Sequence, residues 1–426
     1  MLTVKTPDEV YEIISENFGA GSVFDLKFFE SKTVKTVDSI GRVLHCDIIS
    51  EHDVPGFDRS TVDGYAVIAS DTFGASEGIP AVLNVLGDVP MGDSAKFSLS
   101  SGNCVGISTG GDLPDGCDAA VMLEHTEVYG DGLIGVLKPV APGNNVIYRS
   151  DDVSINQKIL DAGTVLSVAD VGILSALGYG EVAVRACPTV GVISTGDELV
   201  LPSKLPKRGQ IRDVNLPMLI SAVSRFACSA VDYGIIRDEE HLLRNALLRA
   251  CEECDVVLVS GGSSAGLRDL TAKIIEKEGK LLLHGIAMKP GKPTILGIVC
   301  GKPVFGLPGH PVAAYFVTEL FVRYLIETLT GAQRVRRSVH ARLGEAISSN
   351  HGRAEYIAVR LRASDSKNDD FHGSKAEGYG DRFKIAIPVK GKSGLITGLA
   401  GVEGYIAVSR DCEGLAKGEM VEVFYF

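Results

Sequence analysis

Asp255-Val256-Val257-Leu258-Val259 is an unbroken apolar run that opens into Ser260-Gly261-Gly262-Ser263-Ser264-Ala265-Gly266. A run with no polar alternation, bounded by glycine, has the pattern of a strand buried on both faces of a parallel sheet. The loop after it is therefore expected at a carboxyl end of that sheet. Open α/β sheets bind ligands in that crevice, and small residues let backbone N–H groups come close to an anion. Downstream stand Asp269, then Lys289-Pro290-Gly291-Lys292-Pro293, then Gly306-Leu307-Pro308-Gly309-His310-Pro311. Two lysines on a stiff Pro/Gly turn add local positive charge. Together these parts describe a pocket for a phosphorylated or oxyanionic small molecule.

The same strand-then-loop pattern recurs from Pro188 onward. Val190-Gly191-Val192-Ile193 leads into Ser194-Thr195-Gly196-Asp197-Glu198, Ile235-Ile236 into Arg237-Asp238, and Val304-Phe305 into Gly306. Helical patterns fill the gaps, which predicts a three-layer α/β sandwich. Between Asp238 and Cys254, Leu243, Ala246, Leu247, Ala250 and Cys254 recur at helical spacing. Cys251-Glu252-Glu253-Cys254 has no second cysteine pair at matching spacing, so packing on the buried helical face is expected instead of zinc or a disulfide.

On either side of this region the chain changes character. Thr6-Pro7-Asp8-Glu9 is a capping box with proline at the first helical position, followed by Val10, Ile13, Ile14 and Phe18 as an apolar stripe. From about Asp53 to Gly143, short β-like runs broken by Gly, Pro and Asp predict a β-rich insertion. Ser167 to Gly178 reads as a helix again, and the two helices are expected to pack together as a discontinuous domain. Beyond Arg336, alternation at Val339, Ala341 and Leu343, at Phe383, Ile385 and Ile387, and through Glu419 to Phe426 predicts a small β-barrel. The polar segment Ser364 to Asp381 is expected to be a mobile loop. The expected domains are 1–50 with 150–186, 51–149, 187–333 and 334–426.

At 426 residues the chain exceeds what one hydrophobic core serves, and its 45% apolar and 23% charged composition is that of a folded protein. A formal net charge of −12 with no long basic run argues against nucleic acid or an anionic membrane as partner. The nine cysteines are scattered, the first residues are charged, and no stretch is long enough to span a bilayer. A cytoplasmic protein with reduced thiols is expected.

Six collinear motifs then carry a resemblance. They are Pro55-Gly56-Phe57-Asp58-Arg59-Ser60-Thr61-Val62-Asp63-Gly64-Tyr65-Ala66; Ser108-Thr109-Gly110 with Leu113-Pro114-Asp115-Gly116-Cys117-Asp118-Ala119; Ser194 to Leu199; the Gly/Ser loop with Asp269; Lys289 to Pro293 with Gly306 to Pro311; and Gly352-Arg353-Ala354-Glu355-Tyr356. With them the chain resembles the MoeA family of molybdopterin molybdenumtransferases, which in animals form the C-terminal part of gephyrin. The resemblance implies a four-domain homodimer whose α/β domain is similar to the molybdopterin-binding domain of the preceding adenylyltransferase. It also implies insertion of molybdate into adenylylated molybdopterin with release of AMP, assisted by Mg2+ or a similar divalent cation.

What the resemblance implies for individual residues follows the motifs. Loop amides at Ser194, Thr195 and Gly196 and at Ser260, Gly261 and Gly262 would cradle phosphate, with Lys289 and Lys292 as point charges. Alone, either loop could equally be a tight strand-to-helix connection. Glu198, Asp238 and Asp269, each after a strand end, would converge on the cation; singly, each could be a helix cap. Asp63, Thr109 and Asp152 match positions that affect catalysis, which is expected if the insertion of one subunit covers the pocket of the other. Pro308 and His310 line the ligand, and Arg353 and Ser393 match positions linked to anion handling. The family's Leu-Pro-Gly-Asn-Pro-Val-Ser becomes Leu307-Pro308-Gly309-His310-Pro311-Val312-Ala313 here. Readings left open are a gephyrin-type scaffold, a molybdopterin adenylyltransferase, and tungstate in place of molybdate; the upstream adenylyltransferase is a further candidate partner.

Overall fold

The computed structural model describes residues 4–19, 21, 28, 30–261, 265–333, 336–349, 352–364 and 384–426, with 265–269 described by backbone alone. Of the expectations above, Gly262, residues 365–381 of the expected loop and Phe383 lie outside the described residues. The chain divides into two compact units, 1–46 with 163–168 and 181–426, and 47–162 with 169–180.

The first unit is organised by a six-stranded sheet. Its strands are β1 (Thr189–Thr195), β2 (Ser229–Ile236), β3 (Val256–Gly261), β4 (Gly279–His284), β5 (Ile295–Val299) and β6 (Lys302–Leu307), in the order β2-β1-β3-β6-β5-β4. Strands β2, β1, β3 and β6 are parallel, and β5 runs antiparallel to both neighbours. The apolar run of β3 serves two layers because successive side chains point to opposite faces. Val256 and Leu258 join Val190, Val192, Phe305, Leu219, Val223 and Phe316 on one side. Val257 and Val259 join Ile193, Val304, Leu243, Leu247, Ile274 and Ile275 on the other. Helices α2 (Asn215–Arg225) and α5 (Pro311–Val317) thus cover one face, and α3 (Glu240–Glu253) and α4 (Ala265–Glu278) the other. This is the expected three-layer sandwich. Each such fully buried side chain contributes about 1.5–3 kcal/mol, so the sheet interior dominates the unit's stability.

The N-terminal helix α1 (Pro7–Phe18) forms as its capping box predicts. Thr6 Oγ1 accepts from the Glu9 N–H at 3.3 Å, and Glu9 Oε2 accepts from the Thr6 N–H at 2.7 Å. It packs on the helix Arg323–Thr330, where Tyr11 meets Tyr324 edge-on at 4.8 Å and Ser15 Oγ lies 2.8 Å from the Tyr324 hydroxyl. The segments flanking the insertion are joined by strands: Ser31–Lys35 pairs antiparallel with Glu181–Arg185 over five residues. The expectation that helices would make this link missed that pairing, because isolated alternation in so short a run is weak.

The barrel is closed. Ser338–Leu343, Ala354–Ala363, Lys384–Pro388, Gly404–Val408 and Met420–Tyr425 pair in a ring, leaving Ala341, Leu343, Val359, Ala386, Ile406, Val408 and Val423 inside. Met288–Lys289, from the turn after β4, adds to the outside of this ring by parallel pairing with Ala354–Glu355.

The second unit holds a six-stranded sheet in the order Ala119–Met122, Gly64–Val67, Asn103–Ile107, Ala81–Asp88, Leu133–Val136, Thr126–Gly130. Its core contains Val67, Leu83, Cys104, Val121, Ile134 and Val136. The helix Val168–Ala176 buries Leu174. Among the described residues no helix is long and apolar enough to cross a membrane.

Candidate active site

The carboxyl edge of the sandwich sheet is built from strand ends that run further than the sequence suggested. Ser194 and Thr195 close β1, Ser260 and Gly261 close β3, and they stand in register as Ser194–Ser260 and Thr195–Gly261. The Gly196 N–H donates to the Ile236 carbonyl at 3.3 Å. The expected free cradle of Ser194, Thr195, Gly196, Ser260 and Gly261 amides is therefore corrected: these residues sit in or are tied to the sheet ladder. Small polar residues read as loop, but strands on both sides supply them with partners. A Cβ on Gly261 would lie 2.2 Å from the Thr195 carbonyl oxygen, so the close approach of β1 and β3 requires glycine there.

What the edge offers is side chains. Thr195 Oγ1 donates to Asp238 Oδ1 at 2.7 Å, and the Asp238 N–H reaches Asp197 Oδ1 at 3.3 Å. A Cβ on Gly196 would meet Glu198 Oε2 at 2.9 Å, so the Glu198 carboxylate folds over that glycine. Glu198 and Asp238 thus bracket the Thr195–Gly196 peptide. Asp269 falls in the first turns of α4, and its side chain lies outside the described residues. Among the described residues no three His, Cys, Asp or Glu side chains already form a metal-holding group. The donors present at this edge are carboxylate and hydroxyl oxygens, which is the chemistry a hard divalent cation takes.

Beneath these acids lies a polar cluster that the sequence reading missed. Asn215, at the start of α2 and 7% exposed, donates through Nδ2 to Ser260 Oγ at 2.8 Å and to the Gly309 carbonyl at 3.0 Å. It ties the end of β3 to the Gly306–Pro311 loop. Asp213, 3% exposed, accepts from the Asn215 and Leu216 N–H groups through Oδ1. Asp213 Oδ2, Asn215 Oδ1 and Ser194 Oγ are buried with no hydrogen-bond partner among the described residues. Buried polar atoms are seldom left unpaired, and three at one strand edge mark a place built for more than packing. The available signal was Asp213-Val214-Asn215 directly after the short strand Ile211–Arg212, which looks like an ordinary cap.

The two lysines differ. Lys289 Nζ is ion-paired with Glu355 Oε1 at 2.7 Å across the strand pairing to the barrel, so it is not the free point charge expected. That pairing arises from residues 66 apart in sequence and could not be read locally. Lys292 is exposed and in no ion pair among the described residues. His310 is the N-cap residue of α5 without a side-chain cap bond; its Nδ1 instead lies 2.8 Å from Ser393 Oγ. The Val312 N–H donates to the Ser393 carbonyl at 3.1 Å, so a barrel loop closes over the rim at His310, beside the buried Pro308. Arg353 is exposed, next to the Ala354 N–H that donates to the Ala287 carbonyl.

In the second unit, Asp63 Oδ1 accepts from both the N–H and the hydroxyl of Thr109, at 2.7 and 3.2 Å. Gly64 is needed there because its Cβ would lie 1.8 Å from the Val121 carbonyl oxygen. Asp152 is exposed and lines a different feature, a cavity of about 510 Å3 against Ile173 and Leu177. Cys251 and Cys254 are buried on α3 and at its end, and burial pushes the Cys251 thiol up to about 12, as expected of a packing residue.

Comparison with known proteins matches these parts in chain order. Residues 6–178 fit the MoeA N-terminal region (domain I and II), 191–328 the "Probable molybdopterin binding domain", and 340–426 the MoeA C-terminal region (domain IV). The chain is 30% identical to the molybdopterin molybdenumtransferase of Bacillus subtilis, covering 92% of this chain and 89% of that protein. The chain belongs to the MoeA family. The Haemophilus influenzae molybdopterin molybdenumtransferase is 34% identical over 71% of this chain and 74% of its own. A crystal structure of the moeA protein from Pyrococcus horikoshii superposes with a TM-score of 0.79 at 32% identity, covering all of both chains. Within this MoeA chain, Thr195, Glu198, Asp213, Asn215, Asp238 and Ser260 all fall in the segment matching the molybdopterin binding domain.

Proposed function

We propose that this MoeA chain is a molybdopterin molybdenumtransferase of molybdenum cofactor biosynthesis, acting on adenylylated molybdopterin and molybdate and releasing AMP. The observation that carries the reading is the acid edge above a buried polar cluster: Asp238 held by Thr195, with Glu198 beside it, over Ser194, Asn215 and Asp213. Glu198 and Asp238, with Asp269, would hold a divalent cation, which when bound supplies positive charge against developing phosphoryl oxygens. Lys292 offers the exposed ammonium for an oxyanion. Lys289 contributes only when its pairing with Glu355 is relaxed. Asn215, bonded to both Ser260 and Gly309, fixes the spacing between the two ligand loops and so orients the substrate between them.

In this reading the chain is a homodimer in the cytoplasm, and the Asp63–Thr109 pair and Asp152 of one copy serve the pocket of the other. His310, bonded to Ser393, lets the barrel sense the rim, and Arg353 adds charge near it. The reaction class is hydrolytic or molybdate-driven opening of the phosphoanhydride, with AMP as leaving group. The test is AMP release from adenylylated molybdopterin with and without molybdate and magnesium. Molybdate-dependent release that Asp269→Asn abolishes, with pterin binding retained, is the expected result. Release independent of both molybdate and the Asp269 carboxylate overturns the reading.

A further inference from the structure

Outside this edge, the feature with the sharpest chemistry lies at the opposite end of the same strands. Strands β1 and β2 begin with the register partners Thr189 and Ser229, and a cysteine stands shortly before each. Cys187 Sγ and Cys228 Sγ are 2.6 Å apart, and both are free thiols. To reach the roughly 2.05 Å of a disulfide, the sulfurs have to close by about half an ångström. The surroundings give the two sulfurs different roles. Cys187 is half-buried and lines a small cavity with Arg42, Arg185 and Phe226. Cys228 is 6% exposed, and its Sγ also lies 3.6 Å from the Phe226 carbonyl oxygen. The hydrogen bond with Cys228, and after it the positive charge of Arg42, hold the Cys187 thiol below its ordinary value against a burial penalty. The same hydrogen bond and deeper burial push Cys228 upward. A half-buried thiol held below its ordinary value beside a more deeply buried one is the arrangement of an attacking and a resolving cysteine.

We propose that Cys187 and Cys228 form a reversible intramolecular disulfide, made by exchange with a small-molecule disulfide of the glutathione class. The Cys187 thiolate attacks one sulfur of the oxidant, forming a mixed disulfide and expelling one thiolate. Cys228 then loses its proton and attacks Cys187 Sγ, expelling the second. The two protein sulfurs are oxidised, and the oxidant is reduced to two thiols that carry the two protons. The consequence reaches the acid edge because β2 is an edge strand that, among the described residues, pairs with β1 alone. A covalent tie at their start fixes the strand pair whose far ends present Thr195 and Asp238.

The experiment is incubation of the whole protein with oxidised glutathione, followed by thiol titration and tryptic mapping. Cleavage after Arg185, Lys204, Arg225 and Arg237 isolates Cys187 in 186–204 and Cys228 in 226–237, with no other cysteine in either. The expected result is loss of two of the nine thiols, appearance of the two peptides joined, and full recovery with dithiothreitol. Cys228→Ser should stall with glutathione on Cys187, and Cys187→Ser should leave Cys228 unmodified. All nine thiols surviving in the folded wild-type protein, or a cross-link that involves exposed Cys46 or Cys300 instead, overturns the proposal. The wild-type map decides this even if either variant fails to fold.

Discussion

Thr195 Oγ1 donates a 2.7 Å hydrogen bond to Asp238 Oδ1, joining the last residue of β1 to the loop after β2. The bond orients the Asp238 carboxylate, whose second oxygen has no hydrogen bond among the described residues. Thr195→Val keeps the β-branched shape that suits a strand and removes only the donor. Loss of such an orienting partner typically costs about 10–100-fold in metal affinity or activity. We expect AMP release to fall within that range with an unchanged melting temperature, and the deficit to shrink at high magnesium. A variant with wild-type turnover at limiting magnesium would separate Thr195 from the chemistry.

Asn215 is the joint between the end of β3 and the Gly309 loop. Asn215→Ala leaves a buried Ser260 hydroxyl and the Gly309 carbonyl without this donor, a loss of about 1–3 kcal/mol. Urea unfolding should show it. Titration with adenylylated molybdopterin should also show weakening of at least about tenfold, the equivalent of 1.4 kcal/mol. Lost stability with intact binding would make Asn215 a brace only.

Lys289 is 57% exposed at the side chain while its partner Glu355 is 13% exposed, so the acid, not the lysine, is the buried member. Glu355→Gln should change stability by no more than about 1 kcal/mol, because Lys289 stays solvated and glutamine keeps the shape of the glutamate. It releases an ammonium group toward the anion site. Molybdate affinity is expected to rise several-fold at low ionic strength and to return to the wild-type value in about 1 M salt, where the Debye length is ~3 Å. Equal affinities at every salt concentration would place Lys289 outside the anion site.

Glu9 closes the capping box of α1. The hydrogen bond from Lys5, then that from the Thr6 N–H, lowers its carboxyl from an ordinary 4.5 to about 2. A depressed carboxyl stabilises the fold above its unfolded value and loses that contribution as pH falls through the folded one. Compared with Glu9→Gln, the wild type should therefore be more stable above pH 4.5, with the gap closing as the pH falls toward 2. Urea midpoints across that range measure it; a gap that does not vary with pH would mean that the carboxylate charge is idle.

The parts of this protein legible in its sequence are those whose causes are local or periodic. Thr6 and Glu9 are three residues apart and find each other in any helix. Val256 to Val259 must be buried on both faces because nothing polar interrupts them. Residues whose role depends on distant partners were opaque. Nothing near Lys289 announces Glu355, and nothing near Asn215 announces Gly309 or Ser260. Ser194 and Thr195 have the composition of a turn, and only neighbouring strands on both sides convert them to sheet. The strand-end pattern put Glu198 and Asp238 at this edge, yet it passed over Asp213, whose importance is visible only as a buried oxygen with no partner among the described residues.

The ribbon of Ser31–Lys35 against Glu181–Arg185 continues in the Leu44–Val184 bridge and in the bond from the Gly163 N–H to the Leu44 carbonyl, 2.8 Å long. The chain therefore departs from its scaffold after Cys46, returns at Gly163 within one hydrogen bond of where it left, and departs once more over 169–180. A unit sewn in through two separate stretches cannot be exchanged by one cut and splice: a replacement has to supply both 47–162 and 169–180.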